Sequence, residues 1–324
     1  MISVILPTYN SAAIIGDSIE SILNQSFRDF ELLVLDDGST DNTESVISKW
    51  QDARIHYIKL QHGGLSAALN VGLQQARHDI VARMDAGDIS LPLRFEKQNR
   101  FLLSHDLNTI VACRYAVFKN KNVQYVSNSY SKLNKNNRKR LALHPDFAHS
   151  GIMFYKKFIT DNGSYKNIAL EDYELWLRLK DGANFVILDE ILLLVENANE
   201  GLSSKNPVKR YTDHYAIQEP YYKDLQREFG IETKEEETEY RGWREYFYGD
   251  KRVARKHWSK LGIKIMKYPR IMLAWLVTFL PARLFIGFKE SRVKLRMYFL
   301  LHYYTHEMKI VRKEFKKLSL LSKS

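Results

Sequence analysis

Three short clusters in this sequence set carboxylates beside small polar residues: Pro7-Thr8-Tyr9-Asn10, Asp36-Asp37-Gly38-Ser39-Thr40-Asp41 and Asp85-Ala86-Gly87-Asp88. Such side chains supply hydrogen-bond acceptors and oxygens that hold cations. Each cluster follows an apolar or β-branched run, which places it at the carboxyl end of a strand, the edge of an open α/β sheet where ligands bind. Asn, Asp, Ser and Gly are also what turns require. One cluster alone could be a capped turn; three at one edge point to a site.

Other chemistries are missing from the sequence. It has no Gly-x-x-x-x-Gly-Lys-Ser/Thr loop, no Gly-x-Ser-x-Gly elbow, no His-Glu-x-x-His and no Cys-x-x-Cys, and Gly63-Gly64 does not extend to Gly-x-Gly-x-x-Gly. His302 and His306 stand four apart with no carboxylate or thiol in register, so they read as residues of a basic helix.

The elements that must carry the clusters follow from periodicity. Ser3 to Leu6, Phe30 to Leu35, Ile55 to Leu60 and Ile80 to Met84 read as strands. Between them lie helical patterns: Ile14, Ile15, Ile19, Ile22 and Leu23, capped by Asn10 or Ser11; a helix from Asp41 or Asn42 toward Trp50; and Ser66 to Ala76. This alternation predicts an α/β fold with a mostly parallel sheet flanked by helices. Residues 119–140, rich in Lys, Asn and Ser, read as a mobile loop, Gly151 to Tyr155 as a strand, and Leu170 to Lys180 as a helix closed by Gly182.

The 324 residues suffice for about two domains. The single cysteine, Cys113, points to a reducing compartment, and the opening Met-Ile-Ser-Val-Ile-Leu-Pro reads as a strand, not a signal peptide. The net charge of +11 is unevenly spread: from Arg241 to Ser324, 21 Lys and Arg stand against 5 Asp and Glu, whereas residues 1–240 are mildly acidic. We therefore expect a body over 1–240, closed by the acidic stretch Lys234 to Glu239 as a solvated helix face or connector, and a basic, amphipathic helical region over 241–324 that meets a polyanion. Ile271 to Leu280 is apolar but interrupted by Pro281 and flanked by Arg270 and Arg283, which fits an interfacial rather than a membrane-spanning segment.

The ordered set Val-Ile-Leu-Pro-Thr-Tyr-Asn, Ser-Ile-Leu-Asn-Gln-Ser-Phe-Arg-Asp-Phe-Glu-Leu, Asp-Asp-Gly-Ser-Thr-Asp, Ala-Leu-Asn-Val-Gly-Leu, Arg-Met-Asp-Ala-Gly-Asp and Glu-Asp-Tyr-Glu-Leu-Trp-Leu-Arg resembles the family-two glycosyltransferases with the GT-A fold, of the type that builds bacterial surface polysaccharides. The resemblance covers about residues 1–195. It implies transfer of one sugar, with inversion, from a nucleotide-sugar, a UDP-sugar being favoured, to a hydroxyl of a lipid-linked glycan acceptor. Pro7, Tyr9, Asp37, Asn70, Arg83 and Asp85 would contact the donor, with Tyr9 against the base and Asp37 at its edge. Asp85 and Asp88 would hold Mn²⁺ or Mg²⁺ against the diphosphate. Asp172, with Glu171 next in line, would take the proton of the attacking hydroxyl.

The match departs from the family in one place: the second aspartate of the Asp-x-Asp motif falls on Gly87. Either Asp88 takes over, or one carboxylate, the diphosphate and waters suffice. His149 would touch the diphosphate or acceptor, or else be a satisfied core histidine. Arg178 would pair with phosphate or a nearby acid, and Arg83 and Arg94 are either functional or members of structural salt bridges. The basic region, with Trp243, Tyr246, Trp258, Ile271, Leu276 and Phe279 among its apolar residues, is expected on an anionic membrane, the cytoplasmic face of a bacterial inner membrane, with no nucleic acid. The rival reading is a non-catalytic nucleotide-binding protein whose basic tail holds a partner or nucleic acid; Gly87 is the residue that feeds it.

Overall fold

Ile2–Thr8 is buried at every position and forms β1. A run apolar on both faces suits a strand with neighbours on each side and helices above and below. β2 (Phe30–Asp36) is equally buried and pairs parallel to β1 from Ile2↔Phe30 to Thr8↔Asp36. β3 (Ile55–Lys59) extends the sheet outside β2, and β4 (Ile80–Arg83) flanks β1 on the other side, paired only over Ser3, Val4 and Ile5. Beyond Ile5 the two strands part, and Pro7 has no N–H to continue a ladder there. The carboxyl ends of diverging parallel strands are where an open α/β sheet forms its ligand crevice.

A computed structural model supplies these positions; it describes residues 1–120, 122–127 and 147–197, then 213, 216–221, 233–248, 250–267 and 269–279. They belong to two compact units that divide between Ala198 and Asn199. In the first, β5 (Ile89–Ser90), β6 (Thr109–Lys119), β7 (Asn122–Val126), β8 (Met153–Tyr155) and β9 (Asn184–Glu196) complete a sheet of order β3-β2-β1-β4-β8-β6-β9-β5, with β7 paired to β6. β8 runs antiparallel to both β4 and β6, while β6 and β9 are parallel. The half that carries the clusters is parallel throughout.

Helices cover both faces. α1 (Ile15–Leu23) and α4 (Arg94–Leu103) bury Ile15, Ile19, Ile22, Phe95 and Leu102 on one side. On the other, α3 (Leu65–Gln75) and α6 (Glu171–Leu179) contribute Ala68, Leu69, Leu73, Leu175 and Trp176. α2 (Thr43–Ile47) is shorter than the expected run to Trp50, and α5 (Lys156–Asp161) follows β8. α1 begins at Ile15 rather than at an Asn10 or Ser11 cap, because Asn10 sits at φ +48 and its side chain turns to the β2 loop. Part of the expected loop at 119–140 is β7; residues 128–140 lie outside the described residues, as do His302, His306 and everything beyond Phe279.

The second unit contains α7 (Lys234–Tyr248), α8 (Lys251–Ser259) and α9 (Pro269–Val277). The acidic stretch is the first turn of α7, where carboxylates favour the helix dipole. Thr233 and Glu236 close it as a capping box, Glu236 accepting from the Thr233 N–H at 2.9 Å and donating its own N–H to the Thr233 hydroxyl at 3.2 Å. Residue 240, the sequence-based boundary, therefore lies inside a helix. Tyr246, Ala254, Trp258, Leu261, Ile271, Ala274 and Val277 form this unit's own core. Tyr246, Trp258 and Ile271 are thus withdrawn from the surface that the sequence assigned them to.

One close approach fixes a layer distance beside the site. A Cβ on Gly72 of α3 would stand 2.8 Å from Ile5 Cγ2, so the helix presses on β1 next to its last residue paired with β4. Gly72→Val is expected to destabilise the fold by about 1–3 kcal/mol through overpacking, read as a lower urea midpoint.

Candidate active site

The loops after β1 and β2 are laced together. Asn10 Oδ1 accepts the N–H of Thr40 at 2.8 Å, the Ser39 hydroxyl accepts the N–H of Asn10 at 2.9 Å, and Asp36 Oδ1 accepts the N–H of Ser39 at 2.8 Å. Asp37 is buried, and its two carboxylate oxygens take the N–H groups of Gly63 at 2.8 Å and Gly64 at 2.9 Å. Its first task is therefore to fix the 62–64 turn, although carboxylate oxygens accept more than one bond. That turn brings His62 into a stack with Tyr9, ring centroids 4.5 Å apart and 26° between planes. Tyr9 remains 46% exposed, a flat face at the mouth of the crevice. His62 has no counterpart in the sequence-based assignment.

Across the crevice, β4 ends in Arg83 and delivers Asp85. The two form an ion pair in which the guanidinium is buried and the carboxylate side chain is 41% exposed. Burial works against charge on Arg83, but Asp85, Tyr165 and Glu171 around it outweigh that cost and raise its pKa. Its Nε has no hydrogen-bond partner among the described residues. Arg94 lies behind it, fully buried; its guanidinium donates to the carbonyl of Arg83 at 2.7 Å and to Gln98 Oε1 at 3.0 Å. Arg94 is thus a support for the β4 backbone, not half of a salt bridge, and burial lowers its pKa to about 10.

The turn after Asp85 does not present two carboxylates to one ion. Gly87 has φ +99, a conformation costly for any L side chain, and a Cβ there would meet Glu196 Oε2 at 2.6 Å and Ile14 Cδ1 at 3.1 Å. Asp88 is only 5% exposed, and its Oδ1 accepts the N–H of Glu196 at 2.9 Å. Burial, then the charge of Asp85, pushes its pKa up to about 7. Among the described residues no three His, Cys, Asp or Glu side chains gather as a metal site. Asp85 fits a hard cation that keeps its waters and phosphate ligands; Asp88, expected beside it, does not.

The third wall is the start of α6. Leu170 holds a left-handed conformation, φ +58 and ψ +44, immediately before Glu171 and Asp172. Glu171 is nearly buried, and burial followed by the charge of Asp172 pushes its pKa up to about 7. His149 sits 3.8 Å from Glu171 through Nδ1 and 3.0 Å from the Tyr165 hydroxyl through Nε2. Burial and the nearby Arg83 hold its pKa well below the usual histidine range, so it is neutral. Tyr165, which carries no sequence signal, is held by both ends of one amide: Asn70 donates to its carbonyl at 2.8 Å and accepts its N–H at 3.0 Å. Asn70, expected to touch the donor, instead clasps this tyrosine. Arg178 is likewise committed, to Glu174 and to the carbonyls of Asn162 and Ser164.

Residues 3–163 match the profile of glycosyl transferase family 2. The O-antigen biosynthesis glycosyltransferase WbnJ of Escherichia coli is 36% identical over 184 residues, 55% of this chain and 71% of that one. The chain belongs to glycosyltransferase family 2. A second relative, the UDP-Glc:alpha-D-GlcNAc-diphosphoundecaprenol beta-1,3-glucosyltransferase WfgD of Escherichia coli, is 29% identical over 192 residues, 56% of this chain and 70% of that one. Among solved structures, S. aureus TarS residues 1–349 in complex with UDP-GlcNAc aligns with a TM-score of 0.57 at 19% identity, over 98% of this chain and 90% of that one. The enzyme has the GT-A fold that the motif order implied.

Glu171 gives this glycosyltransferase a measurable pH signature. Its ordinary pKa of 4.5 rises to about 7 in the folded enzyme. Between these values the folded state holds a proton that the unfolded state has released, so this residue lowers stability as pH rises through the window. Glu171→Gln removes the titration. Its stability relative to wild type is expected to rise from pH 5 to pH 8, measured by urea unfolding at each pH.

Proposed function

We propose that the enzyme transfers a single sugar, with inversion, from a nucleotide-sugar to a hydroxyl of a lipid-linked glycan in bacterial surface-polysaccharide synthesis. The observation that carries this reading is the convergence around one crevice of an exposed aromatic face (Tyr9), a buried cation paired to an exposed carboxylate (Arg83 and Asp85) and a carboxylate pair at a helix start (Glu171 and Asp172). Tyr165 feels Arg83, Glu171, Asp172 and Asp85 together, which ties the two charged walls to one neighbourhood. The printed names of the relatives support the same class: O-antigen biosynthesis for WbnJ, UDP-Glc and a diphosphoundecaprenol-linked sugar for WfgD, and bound UDP-GlcNAc in TarS. A UDP-sugar is the favoured donor.

In this mechanism Tyr9 lies against the base, and Arg83 orients Asp85 toward the diphosphate. A divalent ion, Mn²⁺ or Mg²⁺, held through Asp85, would offset diphosphate charge as the sugar departs. Asp172 accepts the proton of the acceptor hydroxyl as that oxygen attacks the anomeric carbon from the face opposite the leaving nucleotide. Glu171, buried beside it with a pKa pushed up to about 7, is the next candidate for the base. Asp172→Asn is expected to lower turnover about 10²- to 10⁴-fold while UDP affinity persists, checked by a donor–acceptor assay beside calorimetry with UDP. Turnover near wild type would refute the assignment.

The second unit suits an anionic bilayer at the cytoplasmic side of the inner membrane. Among the described residues no helix is long and apolar enough to span one. α8 carries Lys251, Arg252, Arg255 and Lys256, with Lys260 following it, while Ile263 is 83% exposed and Met266 68%. Leu273, Leu276 and Phe279 are also exposed. Apolar side chains at the headgroup level beside cations bind such a surface, each nearby charge adding ~1 kcal/mol. Wild type is expected to pellet with anionic vesicles and less as salt rises; Ile263→Glu with Met266→Glu should leave most of the protein in the supernatant.

A further inference from the structure

The turn that follows Asp85 contains a carboxylate that the mechanism does not use. We infer that Asp88 is a positioning residue and that Asp85 is the one protein carboxylate this enzyme offers to a divalent ion. The inference rests on the reading that the Asp85 side of the crevice receives the donor diphosphate.

Two observations remove the alternatives. At the second position of the motif, the glycine conformation excludes an ordinary side chain, and the Glu196 carboxylate already fills the volume that a Cβ would enter. At the third, Asp88 is turned into the protein and is only 5% exposed. Its carboxylate holds the N–H of Glu196 at 2.9 Å. Its carbonyl accepts the Ser18 hydroxyl at 2.8 Å, and the same hydroxyl accepts the N–H of Gly87 at 2.8 Å.

These bonds make Asp88 a junction of three pieces of chain. The Asp85 to Asp88 turn is one. The second is α1, through the Ser18 hydroxyl. The third is the end of β9 at Glu196. This single residue therefore sets where the turn that carries Asp85 stands against α1 and the end of β9. Moving it displaces Asp85 without removing a group that touches donor or ion. Buried hydrogen bonds of this kind are costly to leave half-made, which gives the junction its rigidity.

The test follows Mn²⁺ in the presence of UDP by electron paramagnetic resonance of the free ion, using the full-length enzyme, alongside kcat and the thermal midpoint. Asp85→Asn is expected to weaken Mn²⁺ binding roughly tenfold or more. Asp88→Asn should leave Mn²⁺ half-saturation within about twofold of wild type while lowering both kcat and midpoint. Ser18→Ala keeps the carboxylate but takes away the hydroxyl that ties the Asp88 carbonyl to the Gly87 N–H, and should reproduce the loss of kcat in a chain that folds. Glu196→Gln should leave Mn²⁺ binding unchanged. Weakened Mn²⁺ binding in Asp88→Asn or Glu196→Gln, to the degree seen with Asp85→Asn, would overturn the inference, as would wild-type kcat in Ser18→Ala. If wild type itself binds no Mn²⁺ with UDP, the donor reading fails first, and that result is distinct from any variant's.

Discussion

The site depends on one mismatch of strand length. β2 follows β1 to Thr8, but β4 leaves it after Ile5. Everything on the crevice walls hangs from that divergence: Tyr9 continues the strand that goes on, and Arg83 and Asp85 continue the strand that turns away. Because β1 is buried on both faces between α1 and α3, the divergence cannot relax by sliding, since a one-residue slip would turn every apolar side chain to the wrong side. The adjoining β8 reinforces the arrangement by pairing antiparallel with β4. The gap proposed for glycosyltransfer is thus one that backbone hydrogen bonding defines before any functional side chain is added.

Charge around the gap is arranged by burial. Two guanidinium groups, Arg83 and Arg94, lie inside the protein; one faces Asp85, whereas the other is satisfied by carbonyls and an amide. Two carboxyl groups, Glu171 and Asp88, are withdrawn from water and inclined to keep their protons near neutrality. Exposed Asp85 and partly buried Asp172 therefore stand beside neutral neighbours rather than in a crowd of anions. This leaves the crevice hospitable to a ligand that brings its own negative charge.

Much of this was legible in the residue order. The strands β1, β2 and β4 showed as apolar runs ended by Pro7, Asp36 and Asp85, and the family resemblance rested on those same ends. β6 and β9 were not legible: Arg114 interrupts one, and Asp189-Glu190 breaks the other where the register shifts. Arg178 takes the nearby acid, Glu174, of its two expected partners, whereas the partner of Asn70, Tyr165, lies far away along the chain and shows no pattern. Glu196 was missed for the same reason: nothing in a sequence announces which side chain fills the space above a glycine. In the second unit, amphipathic spacing correctly marked helices, yet it could not say that Trp258 faces inward to a private core.

The lacing of the β1 and β2 loops bears on the entropy of binding. Asn10, Ser39, Asp37 and the Gly63-Gly64 amides are bonded to one another without any ligand, and Tyr9 already rests on His62. Ordering a loop costs about 1–2 kcal/mol per residue, and here folding has met that cost in advance. A donor arriving at this wall meets a preorganised surface. Discrimination between one base and another is then enthalpic in origin, a matter of which heterocycle makes the better fit to a shape that does not adapt.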